Sequence, residues 1–67
     1  MEIKIKDEFI KLGQLLKLAG LVDSGVDAKF IIVDGNVKVN GEVDVRRGRK
    51  VYPGDTVEYD GEKVTVI

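Results

Sequence analysis

Gly35-Asn36-Val37-Lys38-Val39-Asn40-Gly41-Glu42-Val43-Asp44-Val45 is the stretch that decides the fold. Before Gly35 the apolar residues recur at helical spacing; beyond it they recur every second residue. Val37 and Val39 alternate with Lys38, and Val43 and Val45 alternate with Asp44. A period of two puts alternate side chains on opposite faces of a strand. Asn40-Gly41 lies between the two runs. It tolerates the positive φ angles of a tight turn, so the stretch predicts a β-hairpin.

Toward the amino terminus, Ala28, Ile31 and Ile32 form the core face of a helix predicted over about residues 25 to 33. Ser24 with Asp27 three residues on is a capping-box variant at its start, and Gly35 is its stop signal. Leu12, Leu15, Leu16 and Ala19 predict an earlier helix over roughly residues 11 to 20, ended by Gly20, with Phe9 and Ile10 packed just before it. Glu2 to Lys6 places Ile3 and Ile5 on one side of a half-buried strand at a sheet edge. Pro53-Gly54-Asp55 is a turn, and Thr56 to Tyr59 and Lys63 to Val66 are strands joined around Asp60-Gly61. Helices followed by a run of strands specify the α+β class. The expected architecture is two packed helices followed by a small bent, mainly antiparallel sheet, in a single domain over residues 1–67.

Composition removes whole classes of function. The chain has no Cys and no His, so the usual catalytic base, nucleophile and soft-metal ligands are missing. No catalytic residue, metal or cofactor is expected. Asp7-Glu8, and Asp23 with Asp27, match no established cation site. A terminus of Val66-Ile67 also argues against a ubiquitin-like sulfur carrier, which needs a Gly pair. No apolar run spans a bilayer and no signal region opens the chain, so the expected location is cytoplasmic. At 43% hydrophobic and 34% charged, the chain is globular rather than disordered.

The charge is unevenly placed. Arg46-Arg47-Gly48-Arg49-Lys50 holds four cations and no anion. Of 11 basic and 12 acidic side chains overall, seven and twelve remain outside that run, a balance of −5. A local basic cluster on a small domain suits phosphate groups.

The run Lys11-Leu12-Gly13-Gln14-Leu15-Leu16, then Ala28-Lys29 with Ile31-Ile32, Gly35, Val37-Lys38-Val39-Asn40-Gly41 and Pro53-Gly54-Asp55, resembles the S-four-type RNA-binding domain. This module is also called the alpha-L RNA-binding motif, and the resemblance covers about residues 9 to 59. It implies RNA bound across the two helices and the adjoining hairpin, with ribosomal RNA, a ribosome-associated tRNA or a ribosomal particle as partner. Position by position, Lys11 matches a basic residue at the start of the first helix, and Ser24 a small hydroxyl residue at the start of the second. Lys29 matches a basic residue after the family's Ala. Lys38 and Asn40 lie in the hairpin motif, and Arg46, Arg47, Arg49 and Lys50 fall where small members carry extra cations. The chain departs from the family at Gly25, often Arg; at Gly13-Gln14, often Asp-Lys; and at Phe30 and Val33, usually polar.

Each of these residues also has a plainer reading. The basic run is equally a solvated loop. Asn40 is first a turn residue, Ser24 first a cap, Lys38 an ordinary strand lysine, and Lys17 a solvated helix lysine. With only four aromatic residues, recognition is expected to rest on RNA shape and backbone, and Tyr52 to pack on the sheet rather than on a base. Val26, Phe30 and Val33 share a second apolar stripe on the second helix. The preferred reading tucks Phe30 under the amino-terminal strand; the alternative is an exposed patch for a protein partner or a second copy.

Overall fold

The computed structural model describes residues 1–67. In chain order the elements are β1 (Glu2–Ile3), β2 (Ile10–Lys11), α1 (Leu12–Leu18), α2 (Gly25–Val33), β3 (Val37–Val39), β4 (Glu42–Val43), β5 (Lys50–Val51), β6 (Thr56–Tyr59) and β7 (Glu62–Val66). Five strands form one sheet in the order β1-β7-β6-β3-β4, with β1 parallel to β7 and every other pair antiparallel. A separate antiparallel ribbon joins β2 to β5. The α+β class, the two helices and the mainly antiparallel sheet stand as the sequence predicts. No helix is long and apolar enough to cross a membrane.

Local signals set the boundaries. The Ser24 hydroxyl accepts the Asp27 N–H at 3.2 Å, which satisfies one of the free donors at the start of α2. At the other end Gly35 takes φ +80°, and the Asn36 N–H closes on the Ile31 carbonyl at 3.0 Å. Asn40 and Gly41 have φ angles of 52° and 86°, the left-handed pair that a two-residue hairpin turn requires.

The core takes Leu12, Leu15 and Leu16 from α1, Ala28 and Ile32 from α2, and valines from β3, β5, β6 and β7. Each fully buried Leu or Ile contributes about 1.5–3 kcal/mol by leaving water. No disulfide adds to this.

Two expectations change. The first helix is shorter than the leucine pattern suggests, with Ala19 as its cap. The second hairpin arm leaves Val43 and Val45 56% and 53% exposed, and Asp44 is its buried residue. The turn explains this, because its register pairs Val39 with Glu42 and Lys38 with Val43. Val43 therefore shares the outer face with Lys38, and Asp44 falls on the face of buried Val37. Finally, Phe30 is not tucked under the amino-terminal strand. It is 61% exposed, and Val26 and Val33 are 62% and 57% exposed. Ala28 and Ile32 already fill the contact of α2 with the core, which turns that stripe to solvent.

Candidate nucleic-acid interface

The basic loop is organised by one carboxylate. Asp44, only 6% exposed, accepts the Arg46 backbone N–H at 2.9 Å and Arg46 Nε at 3.1 Å on Oδ1. On Oδ2 it accepts Arg46 Nη2 at 2.9 Å and Arg49 Nη1 at 2.8 Å. The Arg46 side-chain bond holds the Asp44 carboxyl well below the usual carboxylate range, against the opposing effect of burial. The same contact raises the Arg46 guanidinium further. The expectation of four free cations is therefore corrected: Arg46 and Arg49 share Asp44, leaving that trio a net single positive charge.

The loop backbone is pinned to α1. The Leu12 N–H donates to the Arg49 carbonyl at 2.9 Å, and the Gly13 N–H to the Arg47 carbonyl at 3.0 Å. Donors of a first helical turn have no partner inside the helix, so these carbonyls cap it. A Cβ on Gly13 would meet the Arg47 carbonyl oxygen at 3.6 Å and Arg47 Cβ at 3.7 Å, ordinary contact distances that do not require a glycine.

Between α1, the start of α2 and this pinned loop lies a concave site of about 390 Å³. Lys11, Gly13, Gln14, Lys17, Gly25, Arg47 and Gly48 line it, with no hydrophobic side chain. Both ion pairs of the chain end on Asp44, so Lys11, Lys17 and Arg47 face the cleft with no carboxylate partner. Gly25 brings the positive end of the α2 dipole to the same wall. Asp23 and Asp27, which would repel an anion, line a different depression with Phe30 and Tyr59. On the outer side of the loop, Arg46, Gly48, Arg49 and Lys50 surround a second cationic hollow.

The predicted site residues thus sort into groups. Lys11 and Arg47 meet in the cleft, beside the Ser24-capped helix end. Lys29 is exposed one turn beyond Gly25 on the same side of α2. Lys50 lies across the β2–β5 ribbon from Lys11. Lys38 stands apart. It alternates with buried Val37 and Val39, so it faces away from the helices, opposite Glu58. Asn40 is occupied: its Oδ1 accepts the Thr56 N–H at 2.9 Å and its Nδ2 donates to Asp55 Oδ1 at 3.0 Å. That bond and, more strongly, the Tyr52 N–H hold the Asp55 carboxyl below its ordinary range.

Sequence reasoning passed over Lys17, Gly13, Gln14 and Gly25 as contributors. A signal existed, since Lys11, Gln14 and Lys17 recur every third residue, off the buried leucine face. Two of the family departures, Gly13 and Gly25, line the cleft.

The S4 domain family matches residues 3–67. A Bacillus subtilis (strain 168) protein named "Probable ribosome maturation protein RlbA" is 52% identical over 59 residues, covering 88% of this chain and 83% of the relative. YbcJ of Escherichia coli (strain K12) is 42% identical over 62 residues, covering 92% and 89%. The solution structure of E. coli YbcJ, described as revealing an alfaL motif involved in RNA-binding, superposes with a TM-score of 0.76 at 39% identity, over 98% of this chain and 85% of that one. With its helices, hairpin and sheet in the same arrangement, the chain belongs to the S4 domain family.

Proposed function

We propose that this protein binds structured RNA without catalysis, and that its target is ribosomal RNA on a ribosomal particle rather than a tRNA. The observation that carries the reading is the cleft itself: three unpaired cations, three glycines and a helix amino terminus converge with no apolar wall. Such a surface fits a folded phosphate backbone. The ribosomal assignment draws support from the name of the Bacillus subtilis relative. A ribosomal target makes the cytoplasm its place of action.

Salt dependence measures how many cations engage. Each phosphate contact contributes a log–log slope of about −0.7 on a single strand and about −0.9 on a duplex. Lys11, Lys17 and Arg47 alone therefore give a slope of about −2 to −3. Lys29 and Lys50 at the margins steepen it. In filter retention with ribosomal RNA fragments, Arg47→Glu combined with Lys50→Glu is expected to abolish binding while the circular dichroism spectrum persists. Normal retention by that variant would remove the loop from the site. Crosslinking in cells, followed by sequencing of the attached RNA, distinguishes ribosomal RNA from tRNA.

A second reading has its own observation. The Val26, Phe30 and Val33 stripe is more than half exposed and lies on the solvent side of α2. It suits a protein contact, made alongside RNA or instead of it. Partners that survive nuclease treatment and are lost in Phe30→Glu would support it; a monomer that loses every partner with nuclease would not.

A further inference from the structure

Phe9, Lys11, Lys50 and Tyr52 make a two-by-two array on the outer face of the β2–β5 ribbon. The register pairs Ile10 with Val51 and Lys11 with Lys50. Val51 is fully buried and Ile10 packs against the core, so by alternation the residues beside them point outward. Continuing the register by one residue sets Phe9 opposite Tyr52. Their rings lie 5.8 Å apart at 50°, and Lys50 Nζ sits 4.9 Å from the Phe9 centroid.

One pairing in this array works against folding. Like charges directly opposite one another destabilise a ribbon, yet Lys11 faces Lys50. Tyr52 remains 42% exposed, with its ring set against Phe9 rather than inside the sheet. Lys11 also lines two adjoining concavities: the cleft with Lys17 and Arg47, and a groove of about 720 Å³ whose wall includes Phe9. That groove carries Lys4, Lys6 and Lys11 against Asp7 and Glu8, a net positive balance. Phe9 of the aromatic pair therefore lines a groove that shares Lys11 with the cationic cleft.

We infer that Tyr52, backed by Phe9, stacks one unpaired base of the RNA while Lys11 and Lys50 hold the phosphates beside it. Every base has a flat face, and an aromatic ring flanked by cations accepts it without regard to sequence. The ligand class is thus a base-paired RNA interrupted by a bulged or looped-out nucleotide. This inference rests on the RNA-binding reading and replaces the expectation that only shape and backbone are recognised.

The test compares two RNA hairpins of equal stem length, one continuous and one carrying a single bulged adenosine. The unaltered protein is expected to prefer the bulged hairpin. Loss of the ring in Tyr52→Leu should weaken binding to that hairpin by about 5- to 100-fold and leave the continuous one unchanged. Tyr52→Phe, which keeps the ring, should restore the preference and guard against a merely misfolded variant. In a Tyr59→Phe background Tyr52 is the only tyrosine, and the chain has no Trp, so its emission should fall on adding the bulged hairpin alone. Equal affinity of the unaltered protein for both hairpins overturns the stacking inference while RNA binding stands, as does equal weakening of both in Tyr52→Leu. Failure of the unaltered protein to bind either hairpin overturns both readings.

Discussion

Asp44→Asn is the substitution whose effect the structure defines most fully. Asparagine keeps the size of the side chain and one acceptor oxygen, which can retain the Arg46 backbone N–H and Nε. Its amide nitrogen replaces Oδ2 and confronts two guanidinium donors, Arg46 Nη2 and Arg49 Nη1. Hydrogen bonds to a charged partner contribute about 1.5–3 kcal/mol each, so losing two sets an upper bound of about 3–6 kcal/mol. Arg46 is 71% exposed and can turn to water, which reduces the cost. The expected loss is about 2–3 kcal/mol, below the usual cost of breaking a fully buried pair. A chain of this length has roughly 3–10 kcal/mol of stability in total. The melting temperature should therefore fall by roughly 10–20 °C, followed by circular dichroism at neutral pH.

The pH profile supplies an independent check. The folded Asp44 carboxyl titrates below its unfolded value of about 3.9, so its contribution is complete above that pH and is lost as pH falls through the folded value. The gap between wild type and Asp44→Asn should hold from neutral pH to about pH 5 and narrow steadily on further acidification. Amide exchange at Leu12 and Gly13, whose N–H groups rest on the loop carbonyls, should speed up in the variant. A stability loss under about 0.5 kcal/mol, or a gap that ignores pH, would show that α1 alone holds the loop.

Asn40→Ala should cost about 2–3 kcal/mol in urea unfolding, because it removes two hydrogen bonds and leaves φ 52° to a residue without the polar side chain that lets Asn adopt it. Asn40→Gly keeps the turn and should cost only about 1 kcal/mol, with RNA affinity unchanged once folded; a large affinity loss there would restore Asn40 to the binding site. Gly13→Ala should stabilise α1 by up to about 0.5–1 kcal/mol in thermal melts, since its new methyl meets Arg47 at ordinary contact distance; destabilisation would mean that the loop sits closer than described.

Much of the fold was legible in the residues because its determinants are local. Ser24 with Asp27, Gly35, and Asn40-Gly41 each specify a cap, a stop or a turn through backbone geometry within a few residues, and the predicted span of α2 is the observed one. The buried face of the second hairpin arm is a different matter. Alternation alone assigns no face, while the turn that joins the arms sets a register that turns Asp44, not Val43, inward.

Chain order by itself determined the α+β class, the two helices, the hairpin and the presence of a concentrated basic run. Tertiary structure alone decided which of those cations are free. Asp44 stands beside the basic run in sequence, but its capture of two guanidiniums depends on its burial and on a loop pinned to α1 through long-range hydrogen bonds. The β2–β5 ribbon is likewise two residues on each strand, too short to carry a period. Lys17 joins Arg47 only because α1 and the loop pack together. Charge and stacking act through space over a few ångströms, so their partners are set by packing rather than by proximity along the chain.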